Sequence, residues 1–580
     1  MRIKHFFGLA VIAAMTASCS SNNDLVNGGN GSGENESGES YASFSINLPT
    51  TRGTRAASDP EFKPGDANEY DVNDVTLLVF KKGTDATSEG AYTFVESVNL
   101  GSMAPWTDSS EEGVTTHSKI TAKLSKVDKS GDYYALILLN NGSGTTDVKV
   151  KLPADDTKYS AWNAATNATN KFASTDKGFY MANAPLFDNT KKQVTTLVAI
   201  NKDKIYPTEA QASANAAAAD IYVERGLAKV TLGTSTGDEK KVEDGTYAND
   251  KVKISNWALD VTNKKTYPIH NVDGLATEAE YKDIWKNTTT ASTINGATNQ
   301  RFVDNKSETL VKRVYWGKDP NYNVDKLCDD NAQGKTDRNN EFTYVQKDNL
   351  TATISTPLYC LENTFNLKNM MQGQTTRVIF KAKYTPHSFT TADGNTFFKI
   401  GKNVELWSTS KLKEHIKAAV TNVVASATDA NTTIILAGSD NDLTKAGNRL
   451  LKASNITVTG YTLQGTDVKA INDKLGLSEG NGISTYENGE SYYIARIKHF
   501  GDDLTKWTSG QYGTDNLSYL GRYGVLRNNW YELTVGKVSN PGYPDVPKVK
   551  PNTPDDEDDK YISVSVKILD WAKRSQSIDL

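Results

Sequence analysis

The strongest constraint on the fold is an isolated strand pattern near the C-terminal end of the chain. Apolar and polar side chains alternate from residue 562 to residue 568, a period of two that is typical of a β-strand with one buried face. The apolar positions are Ile562, Val564, Val566 and Ile568. Because a single strand is not stable in water, this one needs a groove, either in its own C-terminal domain or in another molecule.

A spacer separates this strand from the body of the chain. Residues 538–560 contain five of the sixteen prolines, and residues 555–559 are all acidic. Prolines at this density favour an extended, semi-rigid chain, and like charges keep it open. At about 3.1 Å per residue the spacer would reach roughly 70 Å, far enough to contact a neighbouring molecule.

A second alternating segment lies near the other end, at residues 41–48. Its apolar positions are Ala42, Phe44, Ile46 and Leu48. A small, polar segment follows directly and contains Arg52 and Arg55, which would be accessible to a trypsin-like protease. Arginines are common in loops, so their significance depends on the strand in front of them.

The first nineteen residues have the pattern of an export signal. A basic start precedes an apolar run of roughly a dozen residues, too short to span a membrane. Small residues then lead to Cys19, as in bacterial lipoprotein signals, which are cut before a cysteine that receives acyl chains such as palmitate. An ordinary signal peptide cut nearby is the alternative. Residues 19–40 are rich in Ser, Asn, Gly and Glu, which predicts a flexible tether.

The body of the chain predicts many short strands. Only 37% of residues are apolar, and 27 tyrosines suit strands with one wet face. Turn-rich segments separate the strand patterns, which favours β-sandwiches over a parallel α/β sheet. A helix is predicted at Leu412–Val424 and a short helix or connector at residues 210–219, close to a domain boundary. The clearest strand patterns are Asp74–Phe80, Tyr133–Leu139, Ile221–Leu232, Arg377–Tyr384 and Trp530–Val535.

The sequence contains few candidate catalytic or metal-binding residues. The six histidines are far apart and have no metal-ligand spacing, and no catalytic motif occurs. We therefore expect no enzymatic activity, no cofactor and no metal. A net charge of −5 leaves no basic surplus for nucleic acid. Cys328 and Cys360 predict either one disulfide or two separate buried thiols.

Five segments together resemble the fimbrillin family of Bacteroidetes, in particular the shaft (major) subunit of the short type V fimbria. The last two are the most specific, because a strand with R-N-N-x-Y, a proline-rich linker and a V-x-V-x-I-L-x-W strand form an uncommon combination. The segments are residues 41–55, Val223–Val230, Tyr359–Asn363, Tyr523–Tyr531 and Ile562–Trp571.

The resemblance implies a fold and a division of the chain. Fimbrillins have two β-sandwich domains of transthyretin-like topology, are exported as lipoproteins, and lose their leader with the first strand to an arginine-specific or trypsin-like protease. The cut here would follow Arg52 or Arg55. The expected parts are a signal peptide (1–18), a tether (19–40), a removable strand and protease loop (41–55), an N-terminal domain (56–216), a C-terminal domain (217–537), the spacer (538–560) and a donor strand (561–580).

The resemblance also implies a function. Removal of the first strand would open a groove, and the donor strand of a neighbouring copy would fill it by strand addition. The expected protein is therefore a non-enzymatic pilin that forms a head-to-tail filament for adhesion, with fimbrial anchor and tip subunits as further partners. It would start as an outer-membrane lipoprotein and end in a surface fimbria. The alternative is an anchored tip or accessory adhesin, or a glycan-binding surface lipoprotein.

Overall fold

The computed structural model shows a chain built mainly from strands. It describes residues 40–49, 66, 69, 71–103, 107–108, 114–143, 145–165, 167–168, 171–172, 177–188, 193–272, 311–438, 440–499, 519–555, 562–569 and 574–575. Several sheets and a few short helices make up these residues, which confirms the predicted mainly β class. Cys19, Arg52 and Arg55 lie outside them.

The strands are numbered in chain order. The first twelve are β1 (Ser40–Pro49), β2 (Val75–Lys81), β3 (Thr93–Asn99), β4 (Thr107–Asp108), β5 (Val114–Leu124), β6 (Tyr133–Leu139), β7 (Asn167–Ala168), β8 (Met181–Asn183), β9 (Leu186–Asp188), β10 (Gln193–Thr195), β11 (Val198–Ala199) and β12 (Ala219–Arg225). Next come β13 (Ala228–Leu232), β14 (Lys240–Lys241), β15 (Lys251–Asp260), β16 (Thr262–Asn263), β17 (Lys265–Thr266), β18 (Val311–Arg313), β19 (Phe342–Thr343), β20 (Ala352–Thr353), β21 (Leu358–Cys360) and β22 (Arg377–Thr385). The remaining strands are β23 (Phe397–Ile400), β24 (Thr432–Ile434), β25 (Gly447–Arg449), β26 (Ile456–Val458), β27 (Ile483–Tyr486), β28 (Glu490–Arg496), β29 (Trp530–Val538), β30 (Ile562–Leu569) and β31 (Arg574–Ser575).

Helices are short in the part of the chain that the structure describes. The pattern at Leu412–Val424 correctly predicts the longest of them, because its apolar residues recur at helical spacing and pack inward. The alanine-rich connector also contains the predicted short helix. The α-helices are Tyr159–Asn163, Glu209–Ala214, Ala332–Glu341, Thr409–Val423 and Gly465–Lys474.

A nine-stranded sheet, here called the first sheet, dominates the N-terminal half. Its strand order is β3-β2-β6-β8-β12-β1-β5-β4, and β11 pairs with β6. One face packs a core that includes Phe44, Leu77, Ile137 and Ile221. β1 therefore lies inside the sheet, between β12 and β5, although it is the first strand among the described residues.

The chain leaves the first sheet at Gly226. The strand predicted at Ile221–Leu232 is two strands, since β12 ends at Arg225 and β13 begins in another sheet at Ala228. A Cβ at Gly226 would lie 2.7 Å from the Phe172 ring, so only glycine fits this close turn. The predicted boundary at 216/217 falls before β12, whereas the change of sheet follows it.

Two five-stranded sheets share a core in the C-terminal half. One has the order β21-β13-β29-β30-β31, and the other has β14-β15-β22-β28 with β20 paired to β15. Tyr531 and Leu533 of the first pack in the same core as Trp257 and Phe380 of the second. The two sheets are therefore held face to face by apolar burial.

An insertion between β22 and β28 has its own core. Residues 397–486 carry β23 to β27 and the helices Thr409–Val423 and Gly465–Lys474. Leu412, Ile416 and Ile471 are fully buried within it. This insertion was not predicted as a separate unit, because a single sequence shows its strands only as more short β patterns.

Candidate functional site

β1 is hydrogen-bonded along both of its edges. It runs antiparallel to β5 over its whole length and parallel to β12 from Phe44 to Asn47. Ser43 lies opposite Thr121 of β5, and Phe44 lies opposite Ala219 of β12. Loss of β1 would leave two facing rows of unpaired backbone groups, which is costly.

One face of β1 fills the core of the first sheet. The side chains of Ala42, Phe44 and Ile46 are fully buried, as the alternating pattern predicts for one face. The side chain of Leu48 lies outside the described part. The predicted removable strand is thus a strand of the core.

The other face of β1 is covered by the helix Glu209–Ala214. The Ser43 hydroxyl donates to the carbonyl of Ala212 at 2.7 Å and lies 2.8 Å from the Thr121 hydroxyl. The Asn47 amide donates to the carbonyl of Ile221 at 3.4 Å. Both polar side chains are buried, and sequence reasoning missed them because the alternation alone assigns them to solvent.

Lys119 of β5 fixes that helix in place. Its ammonium donates to the carbonyls of Ser213 and Asn215 at 2.7 and 2.5 Å. Positive charge at a helix C-terminus is favourable, because the last carbonyls have no partner within the helix. The cover over Ser43 is therefore attached to β5, a strand that would remain after β1 is removed.

The C-terminal strand β30 pairs with its own chain in this structure. It runs antiparallel to β29, with Leu569 opposite Trp530 and Ile562 opposite Val538. On its other side, among the residues that the structure describes, the short β31 pairs with it. The sequence allows a groove in the strand's own C-terminal domain or in another molecule, and in the single molecule the strand lies in its own C-terminal sheet. The side chains of Ile562, Val564, Val566 and Ile568 lie outside the described part.

The spacer is docked and not extended away from the body. Tyr543 and Tyr492 exchange two backbone hydrogen bonds, at 2.8 and 2.9 Å, and the Arg377 guanidinium donates to the carbonyl of Pro547 at 2.6 Å. Residues 540–555 therefore contact the body along their length. Proline removes a backbone donor, but the remaining carbonyls and amides still find partners on the body.

Asp555 is the last anchor of this docked segment. It is fully buried, its backbone amide donates to the carbonyl of Met370 at 3.1 Å, and the Thr375 hydroxyl donates to its carboxylate at 2.8 Å. The acidic run therefore begins with a structural residue. This leaves residues 556–561 between the anchor and β30.

A buried ion pair joins the two halves of the molecule. The Lys229 ammonium of β13 lies 2.5 Å from the Glu69 carboxylate and 4.0 Å above the Trp530 ring. The Tyr359 hydroxyl donates to the same carboxylate at 2.6 Å. Burial and this hydrogen bond to Glu69 raise the pKa of Tyr359, so the phenol stays a donor.

A second buried cluster lies at the same junction. His270 Nδ1 lies 2.7 Å from Glu224 Oε1 of β12, and its Nε2 lies 3.6 Å from Glu362 Oε2. Arg527 Nε lies 3.4 Å from the other Glu362 oxygen. Three of the five segments on which the resemblance rests thus meet here, which indicates that they maintain the contact between the sheets.

No disulfide joins the two cysteines of the described residues. Cys328 and Cys360 are both free thiols. Cys360 is buried in β21, where burial raises the pKa of its thiol to about 12. Cys328 instead accepts a hydrogen bond from the Gln374 amide at 3.2 Å. The alternative of two separate thiols therefore describes this chain.

Two negative findings apply to the described residues alone. No group of three or more His, Cys, Asp or Glu side chains there could hold a metal ion. No helix among these residues has both the length and the apolar character needed to cross a membrane.

The fold defines a mainly β protein whose sheets incorporate strands from both ends of the described chain. A family model, "Major fimbrial subunit protein type IV, Fimbrillin, C-terminal", matches residues 484–577, a range that includes β28, β29, the spacer and β30. Residues 484–577 thus carry a fimbrillin C-terminal domain, a domain of fimbrial subunits. The family resemblance in the sequence is thereby confirmed.

Solved structures from Parabacteroides distasonis ATCC 8503 are also similar. Two proteins whose descriptions propose a cell adhesion role match with TM-scores of 0.36 and 0.33 and identities of 10% and 12%. These matches cover 92% and 91% of this chain and 99% of each of the others. A fimbrial assembly protein matches with a TM-score of 0.21 and 14% identity, over 39% of this chain and 65% of that one. Comparison with curated proteins gave no match.

Proposed function

We propose that this protein is the shaft subunit of a fimbria that assembles by strand exchange. It is exported as a lipoprotein acylated at Cys19, cut after Arg52 or Arg55 by a trypsin-like or arginine-specific protease, and polymerised when β30 of one copy enters the groove left by β1 of the next. The proposal includes two transthyretin-like β-sandwich domains. The observation that supports it best is that β1 is a core strand placed directly before the two arginines.

The groove left by β1 would bind a replacement strand strongly. Burial of Phe44 and Ile46 contributes about 1.5–3 kcal/mol for each side chain, and both backbone edges lose their partners with β1. Four aliphatic side chains of β30 would contribute roughly 6–12 kcal/mol before ordering costs. Because donor and groove are different surfaces, the contact repeats head to tail and forms an open filament.

The donor strand must first leave its own sheet. Within the described residues β30 is bordered on one side by the two-residue β31, so its release exposes less paired backbone than the release of β1. If the spacer stays docked at Asp555, the six residues 556–561 allow a reach of about 20–25 Å. Detachment of the whole spacer would extend the reach to roughly 70 Å.

Trypsin trimming of the recombinant protein tests this function. Trimmed protein should form a ladder of multimers that heat dissociates on a denaturing gel, and untrimmed protein should stay monomeric. Trimmed protein that remains monomeric would exclude the shaft function.

An anchored adhesin or glycan-binding lipoprotein is the second candidate. The pairing of β30 with β29 favours it, because a strand that completes its own sheet is not offered to a neighbour. This candidate predicts that surface protein isolated from the cell still carries Cys19 and an uncut segment at Arg52 and Arg55, which mass spectrometry of the intact chain would show.

A further inference from the structure

The departing strand and its proposed replacement share one residue pattern. Residues 42–48 read A-S-F-S-I-N-L, and residues 562–568 read I-S-V-S-V-K-I. Four apolar residues occupy the same positions in both, serine occurs at the same two positions, and the sixth residue is polar in both. To fill the core, a replacement strand needs only the four apolar residues. The polar residues on the other face match as well, so the similarity extends to both faces of the strand.

We infer that the donor strand of a second copy replaces β1 residue for residue and in the same direction. This inference rests on the proposed strand exchange. Ile562 takes the place of Ala42, Ser563 that of Ser43, and the donor runs antiparallel to β5 and parallel to β12, as β1 does.

The surroundings of Ser43 explain why a serine recurs. Its side chain is 1% exposed, and its hydroxyl contacts both the Ala212 carbonyl and the Thr121 hydroxyl. A buried carbonyl left without its donor is unfavourable, and a larger side chain would displace the helix Glu209–Ala214. Ser563 supplies the same hydroxyl at the same place.

The opposite strand direction fails at this position. An antiparallel reversal keeps the apolar residues on the core face but brings Lys567 to the place of Ser43. There its ammonium would be buried beneath a helix whose last carbonyls already bind Lys119. In the inferred direction Lys567 takes the place of Asn47, which is also buried but lies outside the contact with that helix, and whose amide donates to the carbonyl of Ile221 at 3.4 Å, so a donor is already accommodated there.

A shift by two residues also fits less well. It would bring Ser565 to the place of Ser43, but Leu569 would then replace the polar Asn47 and Asp570 would replace Leu48. A carboxylate at an apolar position is unfavourable. The pattern therefore distinguishes between registers that the apolar residues alone would allow.

Engineered cysteines test the register directly. The hydroxyls of Ser43 and Thr121 are 2.8 Å apart, so a cysteine pair at these positions is close enough for a disulfide. Trimmed protein carrying Ser563→Cys and Thr121→Cys should form a ladder that resists heating without reductant and collapses with it. The matched control carries Ser565→Cys with Thr121→Cys and should give only the heat-dissociable ladder. Untrimmed Ser43→Cys, Thr121→Cys protein should form the bond within one chain, which checks the geometry.

The outcomes separate the inference from the proposed function. Preferential linking of the Ser565→Cys variant, or no linking in either variant while both form heat-dissociable multimers, would overturn the register. Absence of multimers from trimmed parent protein would overturn strand exchange itself.

A second pair of variants avoids the cysteines. Val564 takes the place of the larger Phe44, so Val564→Phe should fill that pocket and slow multimer dissociation at least several-fold. Val566→Phe, which brings the same side chain to the place of Ile46, should not. If Val566→Phe were the slower of the two to dissociate, the inferred register would be wrong.

Discussion

β1 and β30 have the same residue pattern but different positions in their sheets. β1 pairs on both edges, and its two faces are covered by the core and by the helix Glu209–Ala214. β30 pairs along most of its length with β29, and in the described part of the chain the two-residue β31 lies on its outer side. The difference indicates that an alternating pattern specifies a strand, while the neighbours decide how easily that strand can be exchanged.

This asymmetry suits a one-way assembly step. A strand in the middle of a sheet leaves only when its covalent link is cut and its hydrogen bonds are lost together. A strand near an edge can leave with fewer losses. The proposed exchange therefore moves β30 from the less enclosed site to the more enclosed one.

The largest expected effect is complete loss of multimers, either when β30 is absent or when β1 cannot be removed. Deletion of Tyr561–Leu580 should abolish the multimer ladder, and Arg52→Ala with Arg55→Ala should abolish it equally, because the groove then stays filled. Gel analysis after trypsin treatment measures both. Arg449→Ala, at a partly exposed position in the insertion, is a control that should leave the ladder intact. A ladder from the double arginine variant would show that cleavage there is not required.

A core substitution in β1 should affect the precursor alone. Phe44→Ala should lower the free energy of unfolding of the untrimmed protein by about 3–5 kcal/mol, because it leaves a cavity in the first sheet. Denaturant unfolding measures this, and Ser45→Ala should change the value by less than about 0.5 kcal/mol. Filaments made from trimmed Phe44→Ala protein should match the parent in heat resistance. A difference between these filaments would indicate that β1 is retained.

The stability of the protein should also depend on pH through Asp319, a residue that lies in neither β1 nor β30. Burial raises the pKa of the Asp319 carboxyl from its ordinary value near 4 to about 7. Between pH 4 and 7 the carboxyl of Asp319 is protonated in the folded protein but ionised in the unfolded chain. The free energy of unfolding therefore falls as the pH rises through this range, by about 1–4 kcal/mol. Thermal unfolding at pH 5 and pH 7.5 should show a smaller decrease for Asp319→Asn than for the parent. Equal decreases would show that Asp319 does not contribute.

The smallest effect concerns the release of the donor strand. Asp555→Ala removes the acceptor of the Thr375 hydroxyl and should weaken spacer docking by about 1–2 kcal/mol. We expect trimmed Asp555→Ala protein to form multimers faster, as followed by light scattering. Asp556→Ala, in the same acidic run, is the matched control. Slower assembly of Asp555→Ala would indicate that the docked spacer is needed for exchange.

Local patterns predicted the strands well and their partners poorly. The alternation at residues 41–48 identifies β1 and its inward residues, and helical spacing identifies Thr409–Val423. The break at Gly226 depends on the Phe172 ring, which is distant in sequence, so the residues 221–232 read as one strand.

The candidate site was predicted in the same uneven way. The apolar face of β1 follows from its own sequence, whereas burial of Ser43 requires a helix some 170 residues further along the chain. Proline density predicts an extended backbone for the spacer, but it does not show which groups of the body its carbonyls contact. The thiols of Cys328 and Cys360 stay apart because their side chains have separate surroundings that spacing in the sequence does not show.

The docked spacer gives the proposed filament a mechanical property. Residues 540–555 are held to the body by separate hydrogen bonds and by the packing of Tyr543, Val546 and Val549, and these contacts can break without unpairing a sheet. Under tension these contacts would yield first and release up to roughly 50 Å of chain per subunit, at about 3.1 Å per residue. A fibre of such subunits would lengthen under load before any inserted strand had to be pulled out.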